Sequence, residues 1–300
     1  MRLDGVHHIT LITADARRNV DFYRNLLGLR FLKKTVNHDM PTVYHLYYGD
    51  DAAVPGSLLT YFEFPDAGPG RAGAGMIHTI VWRVPSTASL DYWADKLETA
   101  GVKVERGDTL IFEDPDGMRY ELLVDESTDE PLVASNPNVD PQHALRGFAG
   151  AKAYASDTKR SESFLTQILS FERDGDAFSA AGKDRSAFYS YEQASEAGIE
   201  GSGTVHHIAW GSEVDEHQAW RDEIASVHPG VTPIIDRMYF RSIYFREPSG
   251  VLFEVATKGP GFTYDEPLET LGEKLVLPQR YEHLREDLVQ RLTPIDDLLV

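Results

Sequence analysis

Two histidine pairs stand out in the sequence because imidazole is a common metal ligand in proteins. The pairs His7–His8 and His206–His207 occupy nearly identical segments, VHHIT and VHHIA, that lie far apart in the chain. Both segments have the apolar, β-branched character of a strand. Alternation along a strand places the second histidine of each pair on one face and the first on the opposite face.

A glutamate adds a carboxylate to this set. Glu254 lies within the apolar strand pattern VLFEVAT, between Phe253 and Val255. A carboxylate in such a strand is costly to bury unless it is paired or bound to a metal. Two imidazoles and one carboxylate form a ligand set that suits non-haem Fe(II) and leaves coordination positions open. We therefore predict a metal site formed by His8, His207 and Glu254.

Four segments of the chain share one plan, in which an apolar strand is followed by a short amphipathic helix and further strands. They begin near Val6, Met76, Gly147 and Thr204. Apolar residues spaced three and four apart indicate the helices. The residues predicted on their apolar faces are Val20, Tyr23 and Leu27, then Leu90, Trp93 and Leu97, then Trp220, Ile224 and Val227.

These segments predict an α+β fold of four βαβββ modules paired into two domains. The N-terminal domain covers 1–135 with the first two modules. The C-terminal domain covers 145–300 with the other two modules and a C-terminal extension. The polar, proline-bearing stretch 125–144 is the predicted boundary, and a short helix is predicted over 281–292.

The modules align with one another at the positions that matter for the metal site. FEDPDGMRYE aligns without a gap with FREPSGVLFE, which sets Glu121 against Glu254, and MIHT aligns with the second histidine segment, which sets Thr79 against His207. A symmetry-related site would comprise Thr79, Gly150 and Glu121. Because this set has no imidazole, we predict one metal site per chain.

Composition excludes several classes of protein. The chain has 300 residues, 29 Lys+Arg against 48 Asp+Glu, and a formal net charge of −19. This acidic balance argues against nucleic-acid binding, which needs a concentrated basic surface. The chain has no cysteine, so thiol nucleophiles, disulfides and Cys-held metal clusters are excluded. It has neither a long apolar run nor a signal-peptide pattern, so we expect a cytoplasmic protein without a membrane segment.

Several segments resemble one known superfamily. VHHITLIT, YRNLLGLRFLKKT, YHLYYGD, VHHIAW and FREPSGVLFEVAT are similar to those of the vicinal oxygen chelate superfamily of glyoxalases, bleomycin-resistance proteins and extradiol dioxygenases. The similarity covers nearly the whole chain and is strongest to the hydroquinone-type ring-cleaving dioxygenases. The resemblance implies the vicinal oxygen chelate fold and the metal ligands His8, His207 and Glu254. It also implies Fe(II), with Mn(II) as an alternative, a small aromatic diphenol and O2.

The resemblance also suggests residues around the metal. Tyr244 and Arg237 resemble residues that surround the metal in the hydroquinone dioxygenases, with Arg241 as a competing arginine. Tyr244 would donate a hydrogen bond to substrate or oxygen, and the arginine would stabilise negative charge. His206 is a candidate acid, base or substrate-orienting group. Thr10 is predicted to line the cavity.

Two other functions stay open. A metal-dependent lyase or isomerase of the glyoxalase type would use a fourth protein ligand, but alignment of GSLLT with GVLFE puts Thr60 at that position. A binding protein of the bleomycin-resistance kind would need no metal and would leave the His/His/Glu set without a role. Oligomeric state also stays open, because exposed strand edges in such modules often pair with a second copy.

Overall fold

The computed structural model describes residues 1–299. It contains four modules that each begin with a strand, pass through a helical segment and end with three strands. The first module consists of β1 Val6–Thr13, α1 Ala16–Val20 continuing as a π-helix Asp21–Leu26, β2 Arg30–Val36, β3 Tyr44–Gly49 and β4 Leu58–Glu63. The second consists of β5 Met76–Val84, α2 Thr87–Thr99, β6 Val104–Arg106, β7 Leu110–Glu113 and β8 Arg119–Val124.

The second half of the chain repeats this order. The third module consists of β9 Phe148–Ala155, a π-helix Phe164–Ile168, β10 Glu172–Asp174, β11 Ala177–Ala181 and β12 Ser186–Gln193. The fourth consists of β13 Val205–Ser212, α3 His217–Val227, β14 Ile235–Asp236, β15 Phe240–Arg246 and β16 Leu252–Pro260. The predicted α+β class and the four βαβββ modules are thus confirmed. Among the described residues no helix has the length and apolarity needed to cross a membrane.

The strands form two eight-stranded sheets whose composition corrects the predicted pairing of modules. One sheet has the order β14-β15-β16-β13-β1-β4-β3-β2 and joins the fourth module to the first. The other has the order β10-β11-β12-β9-β5-β8-β7-β6 and joins the third module to the second. Each sheet therefore takes one module from 1–135 and one from 145–300, instead of two modules adjacent in sequence.

The connections explain this difference. The polar stretch 125–144 links two modules of the same sheet, so its composition does not mark a boundary between sheets. The chain passes between the sheets at two glycine-bearing segments, 64–75 and 194–204. These segments run side by side, with backbone bridges at Pro69–Ser202 and Ala74–Ala197. Two connections that pair with each other thus carry the chain from one sheet to the other and back.

The helices pack largely as the apolar spacing predicts. Ser86 caps α2 by accepting a hydrogen bond from the backbone N–H of Ser89, and Leu90, Trp93 and Leu97 are buried. In α3, Trp220 and Ile224 are buried as predicted. Val227 is 53% exposed at the last turn, because the helix ends there and its final residue lies beyond the core.

A set of buried tyrosines joins the two sheets. The hydroxyl groups of Tyr23 and Tyr61, from the first module, lie within 2.9 Å of the Tyr120 hydroxyl of the second module. Tyr23 also donates a hydrogen bond of 2.6 Å to Asp114. Burial raises the pKa of Asp114 to about 6. One continuous apolar core, made from residues of both sheets, surrounds these groups.

The C-terminal extension is anchored by a lysine. The Lys33 side chain on β2 is fully buried, and its ammonium lies 2.7 Å from Asp265 and also contacts Glu266. The extension contains short 3₁₀ turns and one α-helix, which is shorter than the predicted segment 281–292. These elements are Phe262–Tyr264, Leu268–Thr270, Gln279–Leu284, α4 Arg285–Arg291 and Asp296–Leu298.

Candidate metal centre

Two β-bulges shape the centre. The register of β1 against β13 shifts by one residue at His7 and again at His206, so the first histidine of each pair is the extra residue of a bulge. Bulges re-aim side chains and are frequent beside active sites. The bulge at His206 corrects the prediction from simple alternation, because this side chain lines the same cavity as His207 instead of pointing away.

The three predicted metal ligands converge. The Nε2 atoms of His8 and His207 lie 3.2 Å apart. The Glu254 Oε2 atom lies 3.2 Å from His8 Nε2 and 3.0 Å from His207 Nε2. All three residues are buried. Among residues 1–299 they form a group whose ligand atoms could hold one metal ion.

Hydrogen bonds show which nitrogen of His8 is free to bind a metal. His7 Nε2 lies 3.1 Å from the Thr257 carbonyl oxygen, which can only accept a hydrogen bond. Burial lowers the pKa of His7 to about 3, so the ring is neutral and its Nδ1 must act as an acceptor. His8 Nδ1, at 2.9 Å, therefore carries a proton and donates it to His7, so Nε2 is the His8 nitrogen that a metal ion would bind.

The second pair has a similar arrangement. His206 Nδ1 lies 2.8 Å from His207 Nδ1, so each bulge histidine contacts the Nδ1 atom of the ligand histidine beside it. Such outer hydrogen bonds hold metal-binding imidazoles in one orientation. Burial lowers the pKa of His207 to about 4, so this imidazole is neutral at pH 7. A neutral imidazole is the form that binds a metal.

The burial and charge of the Glu254 carboxylate also indicate whether the site fits a metal ion. Burial alone would raise the pKa of Glu254, but His8 and His207 hold it well below its usual range. Neither carboxylate oxygen has a hydrogen-bond partner among the described residues. A fully buried carboxylate that has only two imidazoles beside it is costly to keep ionised, and a divalent cation bound by all three side chains would offset that cost. The residues therefore fit a metal ion.

A cavity of about 440 Å³ opens beside the ligands and is lined by His8, His207 and His206. This volume lies within the range of small-molecule sites. Thr10 does not line the cavity as predicted. It is fully buried below it, and its Oγ1 lies 3.0 Å from His207 Nε2 and 2.7 Å from Thr60 Oγ1.

Tyr244 and Arg237 both line this cavity, whereas Arg241 is exposed. The structure therefore favours Arg237 over the competing arginine. Arg237 Nε donates to the Tyr244 hydroxyl at 3.3 Å, and its Nη1 lies 3.1 Å from Asp39 on the opposite side of the cavity. The ion pair links the β2–β3 loop to the segment after β14, so the two ends of this sheet meet at the cavity.

Sequence reasoning missed residues of β3. The sequence patterns do not single out His45, whose Nε2 lies 3.0 Å from Thr60 Oγ1 and whose Nδ1 lies 2.8 Å from the Tyr47 hydroxyl. Both side chains line the cavity. The signal was present in the module alignment, because the strand before Thr60 corresponds to the strand before Glu254.

The symmetry-related positions in the other sheet are occupied differently. Glu121 lies 2.5 Å from the Lys152 ammonium, which neutralises its charge. A Cβ atom at Gly150 would clash with the carbonyl oxygen of Phe188, so a histidine has no room there. Thr79 hydrogen-bonds His78 at 2.9 Å. Lys152 thus provides a positive charge beside Glu121, whereas the ion-pair partners of Glu254 are the two ligand histidines.

Comparisons with known proteins agree with this fold and site. The Glyoxalase/Bleomycin resistance protein/Dioxygenase superfamily matches residues 5–122 and 143–255. The chain belongs to this superfamily, which confirms the resemblance noted in the sequence. It is 40% identical to "Putative ring-cleaving dioxygenase MhqO" of Bacillus subtilis, over 97% of this chain and 96% of that protein.

Two further relatives cover the chain almost completely. The chlorohydroquinone/hydroquinone 1,2-dioxygenase of Sphingobium indicum is 32% identical over 97% of this chain and 96% of that protein. A crystal structure titled "putative dioxygenase", from Bacillus subtilis, has a TM-score of 0.90 and 36% identity, and the match covers 98% of this chain and 97% of that one. The residues His8, His207 and Glu254 of the candidate metal centre all lie within the superfamily match.

Proposed function

We propose that this protein is an Fe(II)-dependent dioxygenase that opens the ring of hydroquinone or a related diphenol. The observation that carries the proposal is the convergence of His8, His207 and Glu254 beside a cavity, with the Glu254 carboxylate fully buried and neither of its oxygens hydrogen-bonded among the described residues. The names of the relatives support the same class of reaction. Bound Fe(II) would supply the redox chemistry that lets an electron-rich ring react with dioxygen.

The number of protein ligands favours this reaction over that of a lyase or isomerase. Thr60 occupies the position in the first module that Glu254 occupies in the fourth, and its hydroxyl is engaged by Thr10 and His45. Three protein ligands leave more than one coordination position open, as a reaction between two bound molecules requires.

Tyr244 and Arg237 form a polar wall of the cavity. Burial raises the pKa of Tyr244, so its phenol keeps its proton at pH 7. Because Arg237 donates to the Tyr244 oxygen, the Tyr244 proton remains free to donate into the cavity. Arg237 keeps its charge and faces the same space, where it would stabilise negative charge that develops on the substrate.

His206 both orients a ligand and faces the substrate space. Its Nδ1 contacts His207, whereas the ring lines the cavity. Burial lowers the pKa of His206, so the ring is neutral and suited to accept or donate a single proton. Thr10 would not contact the substrate. Its hydroxyl contacts His207 and Thr60, so Thr10 would help to orient His207.

The remaining cavity surface suits an aromatic ring. Its apolar lining residues are Met40, Phe62, Phe64, Ile235, Phe240 and Leu252. Apolar walls with a few convergent polar groups are typical of small-molecule sites and keep bulk water from the reacting atoms. The polar groups lie close to the metal ligands, so a diphenol would place an oxygen there and its ring against the apolar wall.

The decisive experiment reconstitutes the purified protein with Fe(II) under anaerobic conditions and then adds oxygenated buffer with a diphenol. With hydroquinone or methylhydroquinone, we expect one O2 consumed per ring opened and a new absorbance from the ring-opened acid. Parallel samples loaded with Mn(II) and Zn(II) identify the active metal, since Zn(II) has no redox chemistry. The Glu254→Ala variant is the matched control and should consume no O2.

Other outcomes would point elsewhere. Full metal loading without O2 consumption for hydroquinones and catechols would contradict the proposal and favour a glyoxalase-type lyase or isomerase. Failure of the wild-type protein to bind Fe(II), Mn(II) or Zn(II) would also contradict it, and would favour a binding protein that sequesters its ligand without metal.

A further inference from the structure

The first and fourth modules place two tyrosines at equivalent positions around the metal centre. Tyr244 on β15 is the register partner of Glu254 on β16. Tyr47 on β3 is the register partner of Thr60 on β4. Because Thr60 and Glu254 are equivalent positions of the two modules, Tyr47 is the counterpart of Tyr244. Both tyrosines line the same cavity, one from each module.

Tyr47 is held rigidly. It is 3% exposed, and its ring packs at 5.1 Å from the ring of Phe262 in the C-terminal extension. Its hydroxyl lies 2.8 Å from His45 Nδ1, and His45 is itself fixed by the 3.0 Å contact between Nε2 and Thr60 Oγ1. Burial lowers the pKa of His45 well below its usual range, so the ring is neutral.

The hydrogen bonds of His45 and Tyr47 leave the Tyr47 hydroxyl able to bind one more partner. A neutral imidazole has one donor and one acceptor, and His45 uses them on Tyr47 and Thr60. A phenol hydroxyl can take part in more than one hydrogen bond, and the Tyr47 hydroxyl has a single partner among the described residues. Whichever nitrogen of His45 carries the proton, the Tyr47 hydroxyl can make another hydrogen bond within the cavity.

Tyr47 lies where it could contact the end of a substrate ring that is opposite the metal. Tyr47, Thr60 and Thr10 lie in one row across β3, β4 and β1. At the usual strand spacing, the Cα atoms of Tyr47 and Thr10 are therefore roughly 10 Å apart. A ring bound at the metal through one oxygen extends away from His8 and His207, and a hydroxyl at its opposite end needs a partner in this enclosed space.

On the basis of the proposed function, we propose that Tyr47, oriented by His45, hydrogen-bonds the substrate hydroxyl that does not bind the metal. This contact selects para-diphenols over monophenols, because a site built to bind a hydroxyl loses a partner when the hydroxyl is absent. An ortho-diphenol gains nothing from it, because both of its neighbouring oxygens can reach the metal. Tyr47 is thus a specificity residue and His45 a positioning residue.

Anaerobic titration calorimetry on the Fe(II)-loaded protein tests this inference with hydroquinone, phenol and catechol as probes. Tyr47→Phe should weaken hydroquinone binding about 3- to 10-fold and leave the Kd values of phenol and catechol unchanged. Tyr48→Phe is the matched control, because Tyr48 is the next residue of β3 and its hydroxyl binds Asn19 away from the cavity. This control should bind all three ligands like the wild type.

A second variant keeps the inference testable if Tyr47→Phe does not fold. His45→Phe keeps a ring of similar size but removes the group that orients Tyr47, so it should also weaken hydroquinone binding selectively. An equal loss for hydroquinone and phenol in either folded variant would overturn the inference, as would wild-type protein that binds phenol as tightly as hydroquinone. If the wild type neither binds hydroquinone nor consumes O2 with it, the proposed function falls as well.

Discussion

The candidate metal centre and the equivalent positions in the other sheet differ in the charge that lies beside a buried carboxylate. Glu254 and Glu121 occupy equivalent strand positions, yet only Glu121 has an ammonium group beside it. Lys152 supplies that charge, whereas the ion-pair partners of Glu254 are the imidazoles of His8 and His207. Removing one partner of a buried charge leaves the other uncompensated, so the two carboxylates should respond differently to substitution.

Substitution of the ligands should therefore separate the two sites. His207→Ala and Glu254→Ala should weaken metal binding by more than the roughly 10- to 100-fold typical of losing an outer hydrogen-bond partner. Glu121→Gln should keep one metal per chain, because Glu121 contacts Lys152 and not the ligand set. Metal content after dialysis, measured by plasma mass spectrometry, gives the stoichiometry. Stoichiometric metal in both ligand variants would refute the assignment.

At the scale of elements, the sequence predicts the strands and the candidate ligand positions on them, but not which way each side chain points. His8, His207 and Glu254 could be predicted because a duplicated module repeats its ligand positions. The orientation of His206 could not, since a bulge depends on the register between β1 and β13, two strands that are remote in sequence. His45 could not be predicted in this way, because its equivalent in the fourth module is Ser242 and no second histidine marks the position.

The pairing of modules shows the same limit. The metal prediction already required the first and fourth modules to share a site, whereas the domain prediction assigned them to separate domains. Composition favoured a boundary at 125–144 because that stretch is polar and contains proline. The contacts that decide the pairing are backbone hydrogen bonds between β1 and β13 and between β5 and β9, and their partners are not encoded locally.

Lys33 on β2 attaches the C-terminal extension to the first sheet through its contacts with Asp265 and Glu266. Lys33→Met should lower the free energy of unfolding by about 3–5 kcal/mol, because it leaves the carboxylates of Asp265 and Glu266 without their cation in a largely buried site. Arg71→Ala removes an exposed pair with Glu196 and should cost less than about 1 kcal/mol. Urea denaturation measures both, and equal effects would show that the buried contact does not anchor the extension.

At the scale of the whole molecule, the two sheets depend on each other. The chain crosses between them twice, a shared apolar core lies between them, and the contacts of Tyr23 and Tyr61 with Tyr120 join them. Removing one sheet would leave the other with unpaired apolar surface, so unfolding is expected to be cooperative. Two buried histidines whose pKa is lowered by burial, His78 on β5 and His217 at the start of α3, which packs against β16 of the other sheet, therefore contribute to one free energy of unfolding.

This arrangement makes the stability of the metal-free protein sensitive to acid. Burial lowers the pKa of His78 and of His217 from 6.5 to about 4, so between these values the unfolded chain binds more protons than the folded one. The free energy of unfolding should therefore fall as pH drops from 6.5 to 4, by about 1–3 kcal/mol for each residue. Urea denaturation in the presence of a chelator, at several pH values, measures this slope. His217→Gln cannot gain that proton and should flatten the slope, whereas an unchanged slope would show that His217 is protonated equally in both states.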